Sequence, residues 1–380
     1  MLQPFDLEPR TRVVFGPGSL LRLPELARGL LFRRTLLVAH PGLVAAGHAA
    51  RAASLLGDAG IHVVPFHGFG EDPDSAMVEA GAALARSEGI DSLVGLGGGS
   101  SMDCAKGIGF LATSGGAVRD YRGYGKAARA LPPMIGIPTT AGSGSEAQSY
   151  ALLSDEKTHE KLACGDPTAA FRVAVLDPEL TLSQPRSVTA VSGFDAISHA
   201  VETWVTTRRN PHSEMLSREA WRRLASSYER VLAEPADLPA RASMQLGAFY
   251  AGAAIEASML GAAHACANPI SARYGATHGV AVSLMLPSVV RWNTPAAAER
   301  YAELLAIAGA PASPDPAAAL ADRLEALAVA GGLPRRLSAV GVTQAALDGM
   351  AQEAAEQWTG HFNPRPFDLA GARELYRMAY

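Results

Sequence analysis

Through its first half the chain repeats one pattern, a short apolar run followed by a segment with helical spacing, and this alternation limits the fold more than any other feature. The runs are Arg12–Phe15, Thr35–Ala39, His62–Phe66, Ser92–Leu96, Met134–Pro138 and Arg172–Leu176, several of them almost continuously apolar. A strand buried on both faces reads that way, because neither face needs polar residues. Helical spacing fills the gaps near Leu20–Arg28, Leu43–Leu56, Asp74–Ser87 and Met102–Thr113. Strand and helix in turn imply a parallel α/β sheet.

Past Gln184-Pro185 the texture changes. Val188–Thr206, His212–Leu232 and Pro239–Ala262 carry helical spacing, as does the Ala-rich stretch from Pro295 onward, and β-rich runs vanish. The 380 residues exceed what one core usually organises. The expected organisation is therefore an α/β domain over 1–184 and an all-helical domain over 185–380. Gly309–Ala318 reads as a loop entering a helix, and no internal repeat is present.

Charge excludes some partners. The formal net charge is −4, and no Lys- or Arg-rich run stands out, so neither nucleic acid nor an anionic membrane is expected. The start, MLQPFDLEPRTRVVFG, has no basic segment followed by an apolar one, and no stretch approaches the roughly 18 apolar residues of a span. Three scattered cysteines, Cys104, Cys164 and Cys266, do not make a disulfide framework. A cytoplasmic location is expected.

Two loops carry chemistry. Gly95-Leu96-Gly97-Gly98-Gly99-Ser100-Ser101-Met102-Asp103 follows a strand and opens a helix. Glycine allows a tight turn and close approach of a ligand, and the helix start offers free N–H groups to a pyrophosphate. The other reading is a Gly-rich turn without a ligand. Pro138-Thr139-Thr140-Ala141-Gly142-Ser143-Gly144-Ser145-Glu146 also follows a strand and gathers hydroxyls, either as donors to phosphate or ribose or as a polar turn. Two such loops at strand ends favour ligand binding, since α/β sheets bind there.

The helical half holds a second constellation. Asp195 and His199 stand four apart, so on a helix they share a face and can either converge on an ion or bond to each other. His264 and His278 follow in small, largely apolar surroundings, where an imidazole without a partner is unfavourable. One carboxylate and three imidazoles suit a divalent iron or zinc ion. His212, after Asn210-Pro211, reads as exposed, and His48, His62, His67 and His159 sit in no ligand-like arrangement.

Together GGGSSMDCAK (97–106), PTTAGSGSE (138–146), GFDAISHAVE (193–202) and HACANPISARYGATHGVA (264–281) resemble the iron-containing (group III) alcohol dehydrogenase family. The resemblance runs from Val13-Val14-Phe15-Gly16 to Asn363-Pro364-Arg365. It implies a dinucleotide-binding α/β domain followed by an all-α metal-binding domain, the architecture shared with dehydroquinate synthase. It implies Asp195, His199, His264 and His278 as ligands of Fe2+, with Zn2+ or another divalent ion as the alternative. For NAD(H) or NADP(H) it implies contacts from Gly97, Gly98, Gly99, Ser100, Ser101, Met102, Thr139, Thr140 and Ser143. Lys161 and Leu180 match positions lining the nicotinamide ribose, and Asp72 falls where relatives often carry Asn near the adenosine side. The implied partner is a small alcohol or aldehyde, and the implied assembly a homo-oligomer, a dimer.

Two positions depart from the family pattern. Many relatives end the second strand with Thr-Asp, whose carboxylate binds the adenosine ribose; here Ala39-His40 stands there, so a 2′-phosphate meets no repelling charge. Asn268 replaces a histidine used for proton handling, and Asn does not titrate near neutrality. His361, just before the Asn-Pro-Arg signature, either reaches the pocket or lies in a surface loop. Competing readings are a reductase of anionic carbonyl compounds (a maleylacetate-like substrate, or a phosphonate or carboxylate aldehyde), a Zn-dependent glycerol-dehydrogenase-like enzyme, a dehydroquinate-synthase-like lyase, and a silent nucleotide- and metal-binding protein.

Overall fold

The computed structural model describes residues 5–158 and 160–380. His159 and the first four residues, which entered the reading above, lie outside them. The described residues divide into two compact units: residues 7–140 with 144–184, and Pro185–Tyr380 with residues 5–6 and Ala141–Ser143.

The first unit contains strands β1 (Arg12–Phe15), β2 (Arg34–Ala39), β3 (His62–Phe66), β4 (Ser92–Gly97), β5 (Gly123–Tyr124), β6 (Met134–Pro138), β7 (Tyr150–Ser154), β8 (Lys161–Gly165) and β9 (Val173–Leu176). Its helices are α1 (Leu23–Gly29), α2 (Pro41–Ala45), α3 (His48–Asp58), α4 (Ser75–Ser87) and α5 (Gly99–Ser114). Six strands form one sheet in the order β1-β9-β6-β4-β2-β3, every pair parallel. Alternate residues serve opposite faces. Leu36 and Val38 join a core with α4 and α5, while Leu37 and Ala39 join one with α1 and α3. Both faces being covered explains the continuous apolar runs.

The order of the strands locates a binding crevice. From β2 the chain steps outward to β3, then returns to place β4 on the other side of β2. In open parallel sheets, ligands bind beyond the strand C-termini where the winding reverses. Here that point lies between the loops after β2 and β4, which begin at His40 and Gly98.

Some expectations need correction. The predicted helix Leu43–Leu56 is two helices, α2 and α3, separated at Gly47, whose φ of 80° a side chain would resist. A second sheet, β5-β8-β7, was not foreseen: β7 and β8 form an antiparallel hairpin, and β5 pairs parallel to β8.

The second unit is helical: α6 (Arg186–Val205), α7 (Pro211–Ala233), α8 (Leu238–Ala257), α9 (Ala262–Tyr274), α10 (His278–Trp292), α11 (Thr294–Ile307), α12 (Pro316–Gly331), α13 (Leu347–Ala355) and α14 (Leu369–Ala379). Its core centres on fully buried Phe194, Trp221, Tyr228, Tyr301 and Tyr376. The two indoles Trp204 and Trp221 donate to the carbonyls of Arg300 and Leu304, so burial leaves neither N–H unsatisfied. α7 starts as its sequence predicts, with Asn210 Oδ1 accepting from the His212 and Ser213 amides. His212 itself is half-buried beside the Phe5 ring (centroids 6.2 Å apart) rather than exposed.

The predicted helix Pro239–Ala262 breaks at residues 258–261 and restarts as α9. Gly261 makes the break usable, because a Cβ there would lie 3.0 Å from both Glu202 Oε1 and Asn363 Oδ1. Those oxygens accept from the first amides of α9, Glu202 Oε1 from Ala263 at 2.7 Å and Asn363 Oδ1 from Ala262 at 3.3 Å. Two remote side chains thus cap a helix whose own sequence supplies no cap.

Candidate metal and cofactor sites

Three helices of the second unit assemble the predicted ligand set. α6 carries Asp195 and His199 on one face, α9 brings His264 on its first turn, and α10 begins at His278. The Nε2 atoms of His199, His264 and His278 lie 3.5, 3.9 and 3.9 Å from Asp195 Oδ1. The ligand atoms of Asp195, His199 and His264 all lie within 4.8 Å of one another, and the His264 and His278 rings are 5.3 Å apart. Four donors held about 2.1 Å from one ion in a tetrahedral shell stand about 3.4 Å apart, close to these spacings.

Burial sharpens the case. Asp195, His199 and His264 are all less than a tenth exposed, while the side chain of His278 is 42% exposed. Asp195 Oδ1 and His264 Nε2 are buried without a hydrogen-bond partner, although buried polar atoms are nearly always paired. Two orphaned lone-pair donors aimed at one point fit a divalent cation. Burial, with His264 alongside, holds the His199 imidazole well below the usual histidine range. Burial also lowers His264, but the charge and hydrogen bond of Glu202 outweigh it and leave that ring raised.

Glu202 is the residue that sequence reasoning missed. Its Oε2 accepts from His264 Nδ1 at 2.5 Å, while Oε1 takes the Ala263 amide. Carboxylate partners of this kind fix the tautomer and direction of a ligating imidazole. The signal was present: positions 195, 199 and 202 are i, i+4 and i+7, a polar stripe on an otherwise apolar helix.

In the first unit the Gly-rich loop is placed as expected, between β4 and α5. Gly97 has φ +144°, and a Cβ there would lie 2.2 Å from Ser101 Oγ and 2.8 Å from Leu43 Cδ1. Gly98, Gly99 and Ser100 are partly accessible at the helix start, where the first amides lack helical acceptors. Ser101 Oγ is buried there without a protein partner. Thr139 donates its amide to the Gly97 carbonyl at 3.0 Å, and Thr140 Oγ1 would lie 3.3 Å from a Cβ on Gly98. The two loops are therefore neighbours. An orphaned hydroxyl, amides at a helix start and glycines that leave no room for side chains fit a pyrophosphate.

Other assigned residues fall variously. His40 caps α2, its Nδ1 accepting from the Gly42 amide at 3.2 Å, and it stands at the winding reversal. Met102 and Leu180 turn their side chains into the sheet core, leaving only main chain to meet a ligand. Ser143 belongs to the short stretch grouped with the helical unit. Asp72 forms an ion pair with Lys161 and accepts from Ser154 Oγ at 3.0 Å. The positions assigned to the adenosine side and to the nicotinamide ribose thus stand side by side. His361 is exposed on the turn Trp358–Phe362, and Asn268 donates to Gln357 Oε1 at 2.9 Å.

Comparison with known proteins agrees with this geometry. Family models described as "Iron-containing alcohol dehydrogenase" and "Fe-containing alcohol dehydrogenase family, C-terminal" match residues 9–178 and 189–380. The chain is 32% identical over 372 residues to a 1,3-propanediol dehydrogenase of Citrobacter freundii, covering 96% of each chain. It is 30% identical over 370 residues to an NAD-dependent methanol dehydrogenase of Bacillus methanolicus, covering 96% of this chain and 97% of the relative. A crystal structure of a 1,3-propanediol oxidoreductase superposes with a TM-score of 0.96 at 31% identity, with both chains fully covered. With its motifs, its two-part architecture and matches across nearly all its length, the chain belongs to the iron-containing alcohol dehydrogenase family.

Proposed function

We propose that this protein is a metal-dependent, NAD(P)-linked alcohol dehydrogenase or aldehyde reductase, with hydride passing between the nicotinamide and a small primary alcohol or aldehyde. The observation that carries this reading is the convergence of three imidazole nitrogens on Asp195 Oδ1, with Asp195 Oδ1 and His264 Nε2 left unpaired. Asp195, His199, His264 and His278 would hold the ion. Iron is the proposed occupant, and zinc accepts the same nitrogen and oxygen donors.

A divalent ion at such a site supplies Lewis acidity toward a substrate oxygen. The chain's own part is positional. Glu202 keeps the proton of His264 on Nδ1, so Nε2 presents its lone pair to the cluster. The Gly-rich loop and the start of α5 would hold the pyrophosphate, and Thr139 and Thr140 belong to the neighbouring loop. Asn268, a neutral amide bonded to Gln357, holds no exchangeable proton for the substrate near neutrality, so proton exchange would fall to water, a cofactor hydroxyl or another group.

His40 puts no carboxylate at the winding reversal, which supports use of both NADH and NADPH. The proposed assembly is a dimer, tested by sedimentation. Among the described residues no single helix is long and apolar enough to cross a membrane. The cytoplasm is the proposed compartment, tested by cell fractionation. For the activity itself, iron-reconstituted protein is screened against alcohols and aldehydes with both cofactors, following the nicotinamide absorbance. Turnover that follows added metal supports the reading; dinucleotide binding with no turnover across the panel overturns it.

A further inference from the structure

Lys106 is fully buried in the first unit, an unusual position for a lysine, and the dinucleotide chemistry proposed above does not use it. It lies on α5, seven residues after Gly99 opens that helix. Its Nζ donates to the Ser145 carbonyl at 2.8 Å, to Ser145 Oγ at 2.9 Å and to the Tyr150 carbonyl at 2.6 Å. Ser145 Oγ in turn donates to Asp103 Oδ1 at 2.6 Å, and Asp103 stands one turn before Lys106 on the same helix. The Phe171 ring lies beneath the ammonium, 5.3 Å away.

These contacts join the two ligand loops. The hydroxyl-rich loop is tied at its entry by the Thr139 amide on the Gly97 carbonyl. Lys106 ties it at its exit, through Ser145 and Tyr150, to the helix whose first turn is the Gly-rich loop. The ammonium has three protons, and three acceptors are already in place within the protein. A buried charge with all its donors used is a rigid connector, because any displacement of the loop strips hydrogen bonds from a group that water cannot reach.

We propose that Lys106, with Ser145 and Asp103, is a positioning triad that sets the separation of the two dinucleotide-binding loops. It acts without touching the ligand. Its quantitative consequence is on cofactor affinity, since preformed loops need no ordering when the dinucleotide binds. This inference rests on the dinucleotide reading given above.

The test uses metal-loaded full-length protein, with NADH and NADPH titrated by nicotinamide fluorescence. Two variants are compared with the wild type: Lys106→Met, and the milder Ser145→Ala, which leaves both carbonyl acceptors of the ammonium intact. Melting temperature and bound metal are measured on each. In Ser145→Ala the dinucleotide Kd is expected to rise about tenfold, with metal content unchanged and KM for the cofactor rising more than kcat falls. Lys106→Met moves in the same direction by a larger factor if it folds. Ser145→Ala with a lower melting temperature but wild-type Kd overturns the triad and leaves the dinucleotide reading standing. Failure of the wild type to bind either dinucleotide overturns both.

Discussion

His264 Nδ1 donates to Glu202 Oε2 at 2.5 Å, while the other oxygen of the same carboxylate accepts the Ala263 amide at 2.7 Å. Glu202 therefore aims the imidazole and caps the helix that carries it. Replacing Glu202 with Gln leaves one acceptor oxygen for two N–H donors and turns an NH2 group toward one of them. Metal affinity should fall about 10- to 100-fold, read by competition with a chromogenic chelator. An unchanged affinity would remove Glu202 from the site.

His278 offers the cleaner test of the ligand set. Its side chain is 42% exposed, whereas the side chain of His264 is 5% exposed and its removal would strip Glu202 Oε2 of its imidazole partner in the core. His278→Ala should leave the melting temperature of the metal-free protein within a few degrees of wild type while abolishing metal retention and turnover together. Retained metal with full activity would refute the assignment.

His40→Asp tests cofactor choice with little disturbance of the fold, because Asp also caps helices well. The variant should disfavour NADPH relative to NADH by at least about tenfold in kcat/KM, from charge repulsion of the 2′-phosphate. An unaltered ratio would place the adenosine ribose elsewhere.

Glu146 sets a pH dependence of stability. Burial raises its carboxyl to about 7, partly opposed by its own amide and by Lys106. A raised acid favours the protonated fold, so its contribution is complete below the unfolded value near 4.5 and is lost as pH rises through about 7. Melting temperature measured from pH 5 to 8 should decline by the equivalent of roughly 3 kcal/mol from this group, and Glu146→Gln should flatten that slope. Parallel curves for the two proteins would disprove the linkage.

Much of the architecture was legible because burial leaves plain marks. Strands covered on both faces wrote themselves as Leu36-Leu37-Val38 and Ile135-Gly136-Ile137, and the change to helical spacing after Gln184 coincides with the end of the sheet. The hairpin β7–β8 was hidden, because Tyr150-Ala151-Leu152-Leu153-Ser154 and Lys161-Leu162-Ala163-Cys164-Gly165 lack the β-branched residues that signal strands. The break before α9 was hidden too. It depends on Glu202 and Asn363 arriving from 61 and 101 residues away, which no local pattern contains. The Asp195 and His199 pair was readable from its four-residue spacing, but the Asp72–Lys161 pair spans 89 residues and only the fold brings it together.

The proposed ligands come from α6, α9 and α10, three segments that meet around one point, with Asp195 Oδ1 on the first and His264 Nε2 on the second left without a hydrogen-bond partner. An ion that binds the folded chain and not the unfolded one adds to stability in proportion to the logarithm of its free concentration. The same feature that would make the protein a catalyst thus makes its lifetime depend on supply. In a metal-starved cell the helical unit would open more often, proteases would find it, and the amount of enzyme would fall along with its activity.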